Sequence, residues 1–180
     1  MKPYLRVIFN WIKLSTMKLR RKRLNFYPVQ LWGWNTKFVF RSNAIIRLGR
    51  HIVSDGRCVI MADTDSELSI GNGVYFNDGA MISCKSKVTI GDGCRFGPNV
   101  KLFDNNHKYD SVHGVKDQYI SKPISIGKNC WIASNCVILK GTQIGDNCVI
   151  GAGVIVKGTI PASSIVTVSQ DYHIRAIEDK

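Results

Sequence analysis

The chain has 180 residues, 44% of them hydrophobic and 21% charged, which are values of a folded domain rather than of a disordered chain. Its 25 Lys and Arg against 13 Asp and Glu give a formal charge of +12. No run approaches the roughly eighteen uninterrupted apolar residues that a transmembrane helix needs, and the start lacks a clean secretory core. The expected location is therefore the cytoplasm, with peripheral contact at the inner face of the membrane as a further expectation.

The charge is uneven along the chain. Residues 1–50 hold twelve Lys or Arg and no acidic residue, whereas residues 51–180 hold thirteen of each sign. Leu5, Ile8, Phe9 and Ile12 recur at helical spacing ahead of the basic run Lys18, Arg20, Arg21, Lys22 and Arg23, so residues 1–45 read as a basic amphipathic helical segment. Two fates suit it equally: lying in an anionic membrane interface, or packing its apolar face on the body of the protein or on a sister subunit. No base-reading motif accompanies the basic stretch, so nucleic acid is not an expected partner.

From residue 68 onward large apolar residues return every six positions: Ile70, Phe76 and Ile82; Ile90, Phe96 and Leu102; Ile126, Ile132 and Ile138; Ile144, Ile150 and Val156. A fixed period of six suits neither a helix nor an uninterrupted strand and signals a solenoid. The expected fold is all-β: a parallel β-helix of triangular section over residues 46–167, with short strands meeting at Gly-rich corners and a tail over 168–180. Cys94, Cys130, Cys136 and Cys148 each fall four residues after a repeat position, which favours reduced, buried thiols over a disulfide or metal framework. Cys58 and Cys84 lie outside that rule.

Between Leu102 and Ile126 the repeat fails, and the polar segment 103–123 is expected to leave the solenoid as a loop. It carries His107 and His113. Expulsion from a regular scaffold favours a functional His107 over a merely solvated one.

The run IGKNCWIASNCVILKGTQIGDNCVIGAGVIV from Ile126 to Val156, followed by Ile160 and Pro161, resembles the hexapeptide-repeat acyltransferases, above all the branch of galactoside, maltose and capsular-polysaccharide O-acetyltransferases. So do the Ile90–Gly93 and Phe96–Val100 stretches, and the likeness covers about residues 68–177. It implies a left-handed β-helix, a homotrimer and transfer from acetyl-CoA to a sugar hydroxyl at sites between subunits, with no metal. It implies further that His107 is the catalytic base. Trp131, Ser134, Ala152, Lys157 and Arg175 then fall at cofactor-binding positions, and Asn77, Tyr75 and Lys85 at acceptor-binding ones. The sequence departs from the family at Val168–Asp171, at the Lys157–Gly158 pair, and at Lys85, which is acidic in some sugar-specific members.

The chemistry stands beside the resemblance. Transfer from a thioester to an alcohol needs a base for the hydroxyl and a donor for the developing oxyanion, and a histidine suits the first task. Asp104, Asp110 or a backbone carbonyl would orient the imidazole. The product belongs to surface polysaccharide or glycolipid synthesis on this reading. The rivals are an N-acetyltransferase on an amino sugar or a xenobiotic, a zinc hydratase that needs a third histidine, and a non-catalytic scaffold.

Overall fold

The computed structural model describes residues 3–21 and 23–168. Helix α1 (Pro3–Arg20) is followed by short parallel strands that wind into a β-helix of triangular section. Seven strands stack on the first face, from Leu24–Phe26 to Thr159–Ile160. Six stack on the second, from Val53–Ser54 to Ile165–Val166, and six on the third, from Lys37–Phe40 to Ile155–Val156.

The six-residue rule translates directly into the core. All twelve repeat residues are at most 3% exposed. They align in register as three interior columns: Ile70, Ile90, Ile126, Ile144; Phe76, Phe96, Ile132, Ile150; and Ile82, Leu102, Ile138, Val156. Burying an aliphatic or aromatic side chain contributes about 1.5–3 kcal/mol, so these columns dominate stability.

The coils begin at Leu24, well before residue 46. Leu24–Phe26 pairs with Ile46–Leu48, and Lys37–Phe40 pairs with Val59–Ala62. The period is present here too, as Phe26, Trp32, Phe38 and then Leu48, Ser54, Ile60, but two spacings of ten and a serine in an apolar slot disguise it. Ser54 is small enough to let the rings of Trp32 and Phe76 stack at 5.7 Å, continuing to Phe96 at 4.8 Å. The polar Ser54 is satisfied inside, accepting from the Gly33 amide at 2.8 Å.

The six cysteines are free and buried. Cys94, Cys130, Cys136 and Cys148 donate to the carbonyls of Gly127, Gly145, Gly151 and Pro161 at 3.0, 3.1, 2.9 and 3.0 Å. Cys58 joins the rule after all, four residues past Ser54. Burial, with Asp104 beside it, pushes the Cys84 thiol up to about 12, so it stays protonated.

Helix α1 caps the open first coil, and it does so with its mixed polar side. Arg6 Nε and Asn10 Nδ2 donate to the Trp32 carbonyl at 2.8 and 2.9 Å, Lys13 Nζ donates to the Thr36 carbonyl at 2.7 Å, and Leu14 is fully buried. The cap satisfies carbonyls that no strand covers and closes the core. The expected packing of the apolar face on the body holds only at its margin: Phe9 packs its ring on Trp34 at 4.5 Å, whereas Leu5, Ile8 and Ile12 point away.

The corner between the third and first faces varies in length from coil to coil, whereas the other two corners hold four residues in each. This third-to-first corner has four residues at Arg41–Ala44 and Asp63–Ser66, two at Lys85–Ser86 and three at Lys140–Thr142, and between Phe103 and Ile124 it becomes the expelled segment. That segment is an ordered antiparallel hairpin of Asn105–Asp110 with Gly114–Ser121.

Candidate active site

At the base of the hairpin, Asp104 is fully buried and its carboxylate collects N–H donors. The Lys85 amide lies at 2.8 and 3.1 Å, the Ser86 amide at 2.7 Å and Asn105 Nδ2 at 2.9 Å. A buried carboxylate is tolerated where such donors replace water. Asp104 therefore locks the exit of the hairpin onto the preceding coil. At the far end Asp110 ties the tip, accepting from the Val112 and His113 amides at 3.0 and 2.7 Å and pairing with Lys116.

Between those anchors the hairpin shifts register. His107 faces Tyr119 and Tyr109 faces Val115, so Lys108 alone opposes Lys116, Asp117 and Gln118. The bulge turns the Lys116 carbonyl toward the imidazole, 3.0 Å from His107 Nδ1. A carbonyl only accepts, so Nδ1 carries the proton and Nε2 keeps its lone pair. Neither Asp104 nor Asp110 orients the ring. The His107 and Tyr119 rings pack with centroids 4.4 Å apart.

His107 lines an open cleft of about 540 Å³ with Lys85, Ser83, Phe103, Asn106 and Tyr119. Lys85 Nζ sits 3.7 Å over the Tyr119 ring and 2.6 Å from Asp63 Oδ2. That ammonium holds the Asp63 carboxyl below the usual carboxylate range. A smaller pocket of about 110 Å³ continues along the third face past Arg41 and Asp63, sharing Met61, Ser83 and Lys85 with the cleft. Sequence reading missed Arg41, Asp63 and Tyr119. The signal was a second period, since Arg41, Asp63 and Lys85 follow one another at intervals of 22 residues, one coil each, along the third-to-first corner.

The remaining residues named from sequence lie elsewhere on the prism. Tyr75 and Trp131 stand in one outward column of the second face, with Arg95 between them. Trp131 is 54% exposed. The Tyr75 hydroxyl donates to Asp55, whose carboxylate raises the Tyr75 pKa. Asn77, Ser134 and Ala152 occupy the corner between the second and third faces, where the Gly153 amide donates to the Ser134 carbonyl at 2.9 Å. Lys157 is exposed on the same third-to-first corner as Lys85, one strand beyond Leu139. Arg175 lies outside the described residues. Within one chain, then, His107, Lys85 and Lys157 share one corner, whereas Tyr75, Asn77, Trp131, Ser134 and Ala152 share another side. Among the described residues no group of three or more His, Cys, Asp or Glu is gathered as a metal site would require.

Comparison with known proteins adds three findings. Residues 123–157 match the family described as hexapeptide repeat of succinyl-transferase. Galactoside O-acetyltransferase of Escherichia coli K12 is 39% identical over 115 residues, which is 64% of this chain and 57% of that protein. The chain thus spans less than two thirds of that relative. The putative lipopolysaccharide biosynthesis O-acetyl transferase WbbJ of the same organism is 28% identical over 152 residues, covering 73% of this chain and 78% of that protein. In fold, the chain is similar to the hexapeptide-repeat containing acetyltransferase VCA0836 of Vibrio cholerae, with a TM-score of 0.57 and 22% identity over 92% of this chain and 81% of that one.

Proposed function

We propose that this chain, which belongs to the hexapeptide-repeat acyltransferase family, moves an acetyl group from acetyl-CoA to the hydroxyl of a sugar, with His107 as the general base. The observation that carries the reading is the Lys116 carbonyl at 3.0 Å from His107 Nδ1, which leaves Nε2 as the proton acceptor of a ring that lines an open cleft. Support for an O-linked acceptor comes from the names of the galactoside and lipopolysaccharide relatives.

In this mechanism Nε2 takes the proton of the acceptor hydroxyl as its oxygen bonds to the thioester carbonyl carbon. The resulting imidazolium is stabilised through the Lys116 carbonyl. When the carbon–sulfur bond breaks, the imidazolium returns the proton to the departing thiolate, so base and acid are the same group. The trough of Arg41, Asp63 and Lys85 offers alternating charges and the Tyr119 ring to a hydroxyl-rich acceptor.

The other half of the site comes from a second copy. The second-to-third corner has the features a pantetheine arm would use: the small, exposed Ala152, and exposed Trp131, Ile165 and Ile155 on either side. A prism keeps this corner away from its own His107, so we place each hairpin against the neighbouring copy in a closed homotrimer.

The test is release of free thiol from acetyl-CoA with a panel of sugar, amino-sugar and other acceptors. His107→Ala is expected to lower turnover by about 10² to 10⁴ with the fold intact. Unchanged turnover overturns the assigned base, and a preference for amines overturns the hydroxyl acceptor.

A further inference from the structure

Helix α1 turns its mixed side, with Arg6, Asn10, Lys13 and Leu14, to the solenoid and leaves a stripe of apolar residues outward. Leu5, Ile8, Trp11, Ile12 and Leu19 are 45, 52, 49, 51 and 84% exposed, and at 3.6 residues per turn they form one stripe opposite Arg6, Asn10, Lys13 and Leu14. Exposed apolar residues scattered singly need no explanation, whereas a continuous stripe along a docked, ordered helix does.

The surroundings of the stripe are cationic. Beside Leu19 an open pocket of about 440 Å³ is lined by Arg20, Arg21 and Arg23 with Ser42 and Asn43. Arg47 and Arg50 follow on the next coil, and the first acidic residue of the chain is Asp55. The excess charge of the protein is therefore concentrated at the end of the prism that carries the stripe. A second copy seated on this face would bring two such basic ends together without a counter-charge. A surface that offers hydrocarbon under a layer of phosphates complements both features at once.

We propose that the outward face of helix α1 seats the protein on an anionic phospholipid surface. The helix lies in the plane of the interface, with Leu5, Ile8, Trp11, Ile12 and Leu19 among the upper acyl carbons and Arg20, Arg21 and Arg23 at lipid phosphates. It lies on the bilayer rather than through it: among the described residues no helix is long and apolar enough to cross a membrane. The attachment is independent of the acetyl transfer proposed above, and its test reads binding alone.

The full chain is floated with vesicles of phosphatidylcholine and with vesicles of equal parts phosphatidylcholine and phosphatidylglycerol. Binding to the anionic vesicles is expected to exceed binding to the neutral ones at least about tenfold and to weaken on raising salt to about 0.5 M. Ile8→Asp with Ile12→Asp changes two side chains outside the buried core and is expected to cut partition at least about tenfold with an unchanged melting curve. Arg20→Ser and Arg23→Ser are each expected to cost about fivefold. The proposal is overturned if the wild-type chain stays behind when the anionic vesicles rise, or if the double aspartate variant floats with them as well as wild type does. It is also overturned if that variant only lowers the sedimenting mass, which would make the stripe a contact between copies.

Discussion

The role proposed for the imidazole at 107 rests on a group with no sequence signature. A polar segment ejected from a repeat points to its histidine, but the partner that fixes the tautomer is the main-chain oxygen of Lys116, delivered by a bulge. The bulge depends on the hairpin tip, and the tip depends on Asp110. Lys116, followed by the His113 amide, holds the Asp110 carboxyl below the usual carboxylate range. A lowered folded-state value means that the interaction is complete above the unfolded value of about 3.9 and is lost as pH falls through the folded one. The Val112 and His113 amide resonances are therefore expected to titrate together with a midpoint below about 3.9, and Asp110→Asn to abolish that step in an NMR titration. A midpoint above that value would show that Asp110 is not paired.

At the scale of an element, the corners explain which residues the coil accepts. The backbones at Gly49, Gly71, Gly91, Gly127 and Gly145 stack coil on coil at the corner between the first and second faces. A Cβ on Gly127 would lie 2.6 Å from the Gly145 carbonyl carbon and 2.6 Å from the Asp146 amide nitrogen. Those atoms are main chain, so the coils themselves would have to part. Gly127→Ala is expected to destabilise by about 1–3 kcal/mol, read as a fall of roughly 2–12 °C in melting temperature. An unchanged melting temperature would mean that the coils separate at no cost. The column ends at Pro161, where no further described coil stacks above, and there a ring is accepted. The third-to-first corner carries the candidate site because it alone varies in length from coil to coil, so insertions there leave the three columns undisturbed.

For the whole molecule, the split between the His107 side and the Trp131 side makes a prediction about assembly. On the proposed trimeric arrangement His107→Ala and Ala152→Arg are each expected to be inactive alone, the first without the proposed base and the second with the proposed cofactor corner blocked. Unfolding both together and refolding them into hybrid rings should restore activity to about a quarter of the sites, since an intact hairpin then meets an intact neighbouring corner. No recovery, with hybrid rings confirmed by native mass spectrometry, would place the site within one chain. The capped end is set apart from this chemistry. His107 leaves the solenoid on the fourth strand of the third face, three coil steps or roughly 15 Å from the first coil that helix α1 covers.

The sequence by itself determined the coil, the interior columns, the buried thiols and the ejected segment with His107, because each rests on a local rule of spacing that a six-residue repeat makes visible. It also carried the likeness to acyltransferases in the run from Ile126 to Val156. The early coils escaped because Ser54 and the ten-residue steps broke the rule, and their place in the core is set by strands about 22 residues away. Only the tertiary structure decided which side of helix α1 meets the body. Sequence reading follows hydrophobicity, whereas the end of a β-helix presents unpaired carbonyls, and the donors of Arg6, Asn10 and Lys13 satisfy them better than any apolar stripe.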